Sequence, residues 1–216
     1  MSSHKPHIII EVQYTLGTFR NNEIIYDFDK MLVYLNAKGK LLFGKKFRIY
    51  EEDRNILFKL CNYYIKDEAN CKKLGIDIHK GILLSGPVGC GKTNLMKLLR
   101  HIVPHRKLYE VIPTRNIAFA FNNIGYKIIE DYSDKKFFDD LGVEPTGRHF
   151  GKDCNVLGEI LLSRYELFLN HHIQTHATTN LNAQELEERY GNRVRSRMRQ
   201  LFNLVAFDRG SNDKRV

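Results

Sequence analysis

The residues Gly86-Pro87-Val88-Gly89-Cys90-Gly91-Lys92-Thr93 satisfy the spacing G-x-x-x-x-G-K-[ST], which suits one kind of chemistry. Glycines let the backbone curl until several N–H groups converge on an anion. A helix starting at the end of the loop adds the positive end of its dipole. In such a loop the lysine reaches the β- and γ-phosphates of a nucleoside triphosphate, and the hydroxyl that follows ligates Mg²⁺. The flanks agree. Gly81-Ile82-Leu83-Leu84-Ser85 predicts a buried strand, and Asn94-Leu95-Met96-Lys97-Leu98-Leu99 predicts a helix. The whole octet is therefore expected to hold ATP, with Lys92 at the phosphates and Thr93 on Mg²⁺.

A phosphate loop alone does not say what happens to the phosphate. Lys136-Phe137-Phe138-Asp139-Asp140-Leu141-Gly142 is a short apolar run ending in two acids. On a strand beside the loop, Asp139 is expected to order the Mg²⁺ shell and Asp140 to orient or deprotonate the attacking water. Adjacent strand residues face opposite ways, so one acid is expected at the metal and the other at the water. Asp140 is one methylene shorter than the glutamate usual in this pattern, which predicts slow turnover. A strand over 172–179 ends in Thr178-Thr179-Asn180. Its carboxyl end is the rim where open α/β sheets bind ligands, so Asn180 is expected to hold the water or sense the γ-phosphate. Asn182 with Glu185 predicts a capping box for the next helix, and Gly191 its end. Beyond it stand Arg193, Arg195, Arg197 and Arg199. At about 100° per residue, Arg193 and Arg197 fall together while Arg195 and Arg199 lie nearly opposite. One pair is thus free to serve a neighbour's phosphate, where a guanidinium stabilises transition-state charge.

Positioning these groups takes an alternation of elements. Strands are expected at 81–85, 108–112, 135–138, 172–179 and 203–207, with helices near 91–102, 115–130, 154–171, 182–190 and 192–202. Such alternation implies a parallel sheet with helices on both faces. Ahead of it, residues 7–12 read as a strand, 26–35 as a helix, Asn36-Ala37-Lys38-Gly39-Lys40 as a turn and 51–66 as an amphipathic helix. The chain has 216 residues, 43% hydrophobic and 27% charged, enough for one α/β domain and a small appendage. A net charge of +9 suggests a polyanionic partner, nucleic acid first. Cys61, Cys71, Cys90 and Cys154 show neither a C-x-x-C pair nor zinc spacing, which predicts free thiols in a reducing compartment. With no apolar run of membrane-spanning length and no signal peptide, a cytoplasmic protein without membrane contact is expected.

Taken in order, the phosphate loop, Asp139-Asp140-Leu141-Gly142, Thr178-Thr179-Asn180 and Gly191-Asn192-Arg193-Val194-Arg195-Ser196-Arg197-Met198 resemble one family. It is the AAA+ ATPases of the DnaC-type helicase loaders and the IstB-type transposition ATPases. The resemblance covers roughly residues 45–216. It implies an α/β P-loop NTPase of the AAA+, ASCE type, with a central five-stranded parallel sheet in the order 5-1-4-3-2. Residues 46–216 would be the ATPase domain, and 1–45 an N-terminal extension that binds a partner. It makes Asn180 sensor 1, Arg197 an arginine finger acting across a subunit boundary, and Arg193 its companion. Arg215 loosely matches a phosphate sensor near the end of these proteins. The implied function is ATP hydrolysis in DNA replication, as a helicase loader. A transposition accessory ATPase is the alternative, and a small-molecule P-loop kinase a minor one. The implied cofactors are ATP and Mg²⁺. The implied partners are a replicative helicase or a transposase, single-stranded DNA, and further copies of the chain on ATP binding.

Overall fold

The computed structural model describes residues 13–20, 22–103, 109–208 and 210–215. They divide between Ile49 and Tyr50 into two compact units. In the first, β1 (Gly17–Arg20) and β2 (Glu23–Tyr26) pair antiparallel, and α1 (Phe28–Phe43) follows. Asp27 caps that helix by accepting from the Lys30 N–H at 3.1 Å. The turn expected at Asn36–Lys40 does not form, because those residues lie inside α1. Met31, Leu35 and Gly39, four residues apart, make its buried face. The glycine is there for a close approach: a Cβ at Gly39 would meet the Phe47 ring at 2.0 Å. The helix ends instead at Gly44, which has φ 99°. The strand expected at 7–12 lies outside the described residues.

The second unit opens with one 3-10 turn, Glu51–Asp53, then α2 (Arg54–Ile65), α3 (Glu68–Lys73), β3 (Gly81–Ser85), α4 (Lys92–Leu99), β4 (Ile112–Pro113), α5 (Thr114–Ile124) and α6 (Lys127–Ser133). It continues with β5 (Phe137–Leu141), β6 (Gly147–His149), β7 (Lys152–Cys154), α7 (Val156–His171), β8 (His176–Thr179), α8 (Ala183–Leu201) and β9 (Phe202–Ala206). The sheet runs β4-β5-β8-β3-β9, every pair parallel. Numbered in chain order, its five strands stand 5-1-4-3-2, as expected. Side chains alternate across it. Leu83, Phe138 and Ala177 join one core with Ile117 and Phe121 of α5, Leu157 and Leu161 of α7, and Leu186 and Met198 of α8. On the other face the Phe137 ring packs on Tyr109 at 5.3 Å. The Tyr109 hydroxyl reaches Tyr64 of α2 at 2.6 Å and the Met96 carbonyl of α4 at 2.7 Å. The domain is therefore three layers, helix–sheet–helix. Among the described residues no helix is long and apolar enough to cross a membrane, and all four cysteines are free.

Several boundaries differ from expectation for identifiable reasons. The helix expected at 115–130 is two, α5 and α6, parted at Gly125 (φ 80°). Helix α8 runs through 183–201, but Gly191 (φ 80°, ψ 160°) interrupts its helical geometry. The strand expected from 172 begins only at His176, because a buried guanidinium takes the backbone before it. Arg164, with no exposed surface, donates to the Gln174 carbonyl at 2.8 Å, the Ser133 carbonyl at 3.0 Å and the Thr175 hydroxyl at 2.9 Å. Strand β5 lies two residues later than the 135–138 expected, since Lys135 turns outward to Glu110 and Asp134. Within 108–112 and just beyond, only Ile112–Pro113 pair, Leu108 lying outside the described residues. Pro113 has no N–H for a ladder and leads straight into α5.

His176 opens β8 among the rings of Tyr63, Tyr64 and Tyr109. Its Nδ1 accepts the Ile82 N–H at 3.1 Å, so the folded ring is neutral. Burial, then the charges of Arg164 and Lys136, push its pKa down to about 3. An unfolded histidine titrates near ~6.5. Between those values the unfolded chain holds the extra proton, so stability rises with pH across that window and is lost as pH falls. In urea titrations from neutral pH to about pH 4, this one proton should lower the unfolding free energy by up to ~1.4 kcal/mol per pH unit. His176→Gln, which keeps an acceptor for Ile82, should flatten the slope by that amount. An unchanged slope would mean that His176 is protonated in the folded protein.

Candidate active site

The loop after β3 begins where apolar strand gives way to glycine. Gly89 (φ 85°) and Gly91 (φ 95°) both take left-handed conformations that a side chain would strain, and α4 starts immediately afterwards at Lys92. Val88, Gly89 and Gly91 line one wall of a 340 Å³ cavity at the carboxyl ends of the strands, with Lys92 and Thr93 at its floor. Lys92 is 6% exposed, and its ammonium donates to the Gly86 and Pro87 carbonyls at 2.8 Å each. With the Cys90 sulfur at 4.0 Å as its other contact, this buried cation has no ion pair among the described residues, which suits it to an anion supplied by a ligand. Cys90 is fully buried, and burial raises its thiol pKa, opposed by Lys92. It packs the loop, and its burial disfavours the thiolate.

Asp139 sits at the centre. Its Oδ1 accepts from Thr93 at 2.8 Å and from Thr178 at 2.7 Å. A carboxylate from β5 and a hydroxyl from the first turn of α4 thus stand within a hydrogen bond of each other. Among the described residues no cluster of three His, Cys, Asp or Glu could hold a metal. A cation at Thr93 and Asp139 would complete its shell with water and phosphate oxygens, the pattern Mg²⁺ accepts. The donors present fit that ion.

Asp140 reaches the cavity by a route other than strand alternation. The β5–β8 register breaks between Phe138 and Leu141, and Asp140 takes φ 60°. Its backbone is clamped there: its N–H donates to Thr178 Oγ1 at 2.8 Å, and its carbonyl accepts from Thr114 Oγ1 at 2.7 Å. The bulge, rather than the two-residue period, puts the second acid against the cavity. Burial, then the neighbouring Asp139 charge, raise the Asp140 pKa, while Lys92 and Arg215 pull it down. A carboxylate so biased is more basic than one in water, as a proton acceptor should be. Asn180 also lines the cavity, and its Oδ1 is buried with no hydrogen-bond partner among the described residues. Such an orphan acceptor costs free energy unless something donates to it, as a water or a protonated phosphate would. The capping box expected beside it is present: Asn182 Oδ1 accepts the Glu185 N–H at 3.0 Å, and Glu185 accepts the Asn182 N–H at 2.6 Å.

The end of the chain closes the remaining side. The Lys214 N–H donates to the Gly89 carbonyl at 3.0 Å, and the Asp213 carboxyl crosses Gly89 so closely that a Cβ there would lie 2.2 Å from it. The Lys214 ammonium grips both oxygens of Asp53, at 2.5 and 2.6 Å, and reaches Glu52 at 3.5 Å. Lys214 and Arg215 both line the cavity, with Arg215 paired to Asp213 at 3.0 Å. The C-terminal strap therefore joins the start of the domain to the phosphate loop. Nothing local in the sequence marks Lys214 and Asp53 as partners, since 161 positions separate them. The structuring roles of Thr114 and Thr178 were equally out of view, although Thr178 lies two residues before Asn180.

Arg193 and Arg197 are not brought to this cavity. Arg193 is exposed. The Arg197 guanidinium lies over the Tyr165 ring of α7 at 4.5 Å and donates to its hydroxyl at 3.3 Å. Gly86, Pro87, Val88, Gly89, Cys90, Gly91, Lys92, Thr93, Asp139, Asp140, Asn180 and Arg215 gather at one end of the sheet; the two arginines stand apart on α8.

Comparison with solved structures agrees with this architecture. The crystal structure of the DnaC helicase loader superposes with a TM-score of 0.51 at 17% identity, over 74% of this chain and 92% of that one. The crystal structure of DnaI gives 0.53 at 18% identity, over 76% and 89%. The replication initiator DnaA bound to AMPPCP and single-stranded DNA gives 0.50 at 18% identity, over 81% of this chain and 51% of DnaA, so the chain spans about half the length of that initiator. No family model matches the chain, and no curated protein matches it in sequence. At such identities the likeness is one of fold: the domain has the P-loop AAA+ fold shared by DnaC, DnaI and DnaA.

Proposed function

We propose that this protein binds and hydrolyses ATP and works as an oligomeric accessory ATPase of DNA replication, with helicase loading as its task. The observation that carries the reading is the convergence of Thr93, Asp139, Asp140 and Asn180 on the phosphate-loop cavity. Lys92 turns from the loop carbonyls to the β- and γ-phosphates. Thr93 and Asp139 would hold Mg²⁺, which when bound would offset the charge of the phosphate oxygens. Asp140 takes the proton of the attacking water, and Asn180 positions that water through its amide. Arg215 lies at the cavity mouth, where its charge suits the γ-phosphate. The likeness to DnaC and DnaI favours replication over transposition, and the initiator DnaA is itself bound to AMPPCP and single-stranded DNA in its structure. The net charge of +9 suits a nucleic-acid partner. The first unit exposes Phe19, Ile24, Ile25, Val33 and Leu41, apolar surface suited to the helicase itself. Arg197, with Arg193 beside it, completes a neighbour's site rather than its own.

Lys92→Ala should reduce ATP binding by at least a hundredfold, measured by fluorescence of a labelled analogue; tight binding by this variant would remove the loop assignment. Asp140→Asn should bind normally and lose phosphate release, on the order of a hundredfold or more. Arg197→Ala mixed with Asp140→Asn should recover activity at the shared sites, each variant supplying what the other lacks. Failure to recover at any ratio would count against a role across the subunit boundary. Lys214→Gln leaves Asp53 buried without its cation and should cost roughly 2–4 kcal/mol by urea unfolding. Adding Asp53→Asn should restore most of that loss, and additive losses would show that the two residues are not coupled.

A further inference from the structure

Between the strand that carries the acids and α7, the chain builds a β6–β7 hairpin that the ATP site does not use. His149 pairs with Lys152, leaving a two-residue turn, Phe150-Gly151. Both turn residues have positive φ, 46° and 77°. Turns of this shape favour Asn-Gly, and a bulky residue at positive φ is a genuine outlier. Phe150 is also 93% exposed. A large apolar ring is thus held in a strained conformation and in full contact with water, which neither packing nor turn chemistry explains. Strain of this kind marks functional positions when the surroundings enforce it.

The surroundings do enforce it. The Arg148 N–H donates to Asn122 Oδ1 at 2.7 Å, and His149 Nδ1 lies 3.2 Å from the Asn122 carbonyl. Gly125 makes room for the His149 ring, since a Cβ there would meet it at 2.6 Å. At the foot of the hairpin, Glu144 accepts from the Gly142 N–H and the Tyr190 hydroxyl at 2.8 and 2.7 Å. The rings then form a row: Tyr126 against Phe121 at 5.3 Å, Phe121 against His149 at 6.0 Å, and His149 against Phe150 at 4.3 Å. Tyr126 and Phe150, at its two ends, are exposed. Lys127, Arg148 and Lys152 are exposed around it. Among the acids nearby, Asp153 lies in a solvent-exposed pair with Arg148 at 3.6 Å, and Glu130 and Asp131 are exposed on α6.

Exposed rings interleaved with cations suit unpaired bases on a phosphate backbone, because every base offers a π-face and every linkage a negative charge. We infer that the β6–β7 hairpin with the start of α6 is a single-stranded DNA contact, in which Phe150 stacks on a base and Arg148, Lys152 and Lys127 meet the backbone. This rests on the nucleic-acid reading of the protein given above and names the surface that serves it.

The test uses the full chain with ATP and Mg²⁺ and a fluorescein-labelled oligothymidylate, read by anisotropy across a salt series. Phe150→Asn supplies the residue the turn prefers, so its melting temperature should stay level or rise while its affinity for the oligonucleotide falls about tenfold. Arg148→Gln and Lys152→Gln should each lower the salt slope by about one backbone contact. If the unaltered protein binds and Phe150→Asn binds equally well, the hairpin assignment is wrong and the nucleic-acid reading survives. If the unaltered protein shows no binding even at low salt, both fall. If Phe150→Asn keeps DNA affinity but loses binding to a purified replicative helicase, the hairpin is a protein contact and the inference is overturned.

Discussion

The carboxylate of Asp139 is the junction on which the site depends. Through one oxygen it accepts from Thr93, at the start of the helix after the phosphate loop, and from Thr178, on the central strand. Two hydroxyls on one buried carboxylate satisfy a charge that would otherwise be costly to hold away from water. The same Thr178 hydroxyl accepts from the Asp140 N–H and so shapes the bulge that turns the second acid toward the cavity. Thr93, Asp139 and Asp140 are therefore positioned by one hydrogen-bond network, and movement at β8 would be felt by all three.

Around that junction the protein uses buried charge to fix backbone. Arg164 occupies the Gln174 carbonyl and the Thr175 hydroxyl just before β8 and ties them to the Ser133 carbonyl at the end of α6, which fixes where the strand begins. Glu144 braces the segment after β5 against Tyr190 and Gly142. Lys214 ties the C-terminal strap to Asp53 near the start of the second unit. Each is a buried ionic group whose separate removal would leave partners unsatisfied, a specification of geometry more than a source of stability.

The strap has a functional consequence as well. It lays Lys214 and Arg215 beside the phosphate loop, so both cations share the cavity with Lys92. That concentration of positive charge suits a triphosphate and explains why Asp140 keeps competing influences, raised by burial and Asp139 and lowered by Lys92 and Arg215. Its proton affinity would shift as an anion neutralises those cations.

The sequence by itself determined the phosphate loop, the pair of acids, Asn180, the capping box at Asn182 and the sheet order. All but the last rest on local spacing; the sheet order came from the motifs' resemblance to one family, since 5-1-4-3-2 does not follow the order along the chain. It misread Asn36–Lys40 as a turn, because a glycine that admits the Phe47 ring looks the same in sequence as one that bends the chain. Only the tertiary structure decided how Asp140 faces the cavity, since a bulge depends on hydroxyls from Thr114 and Thr178 on other elements. The same holds for the Lys214–Asp53 clasp. A contact across 161 positions leaves no periodicity or spacing to read, because its energy comes from burial of two charges that meet only once the chain has folded.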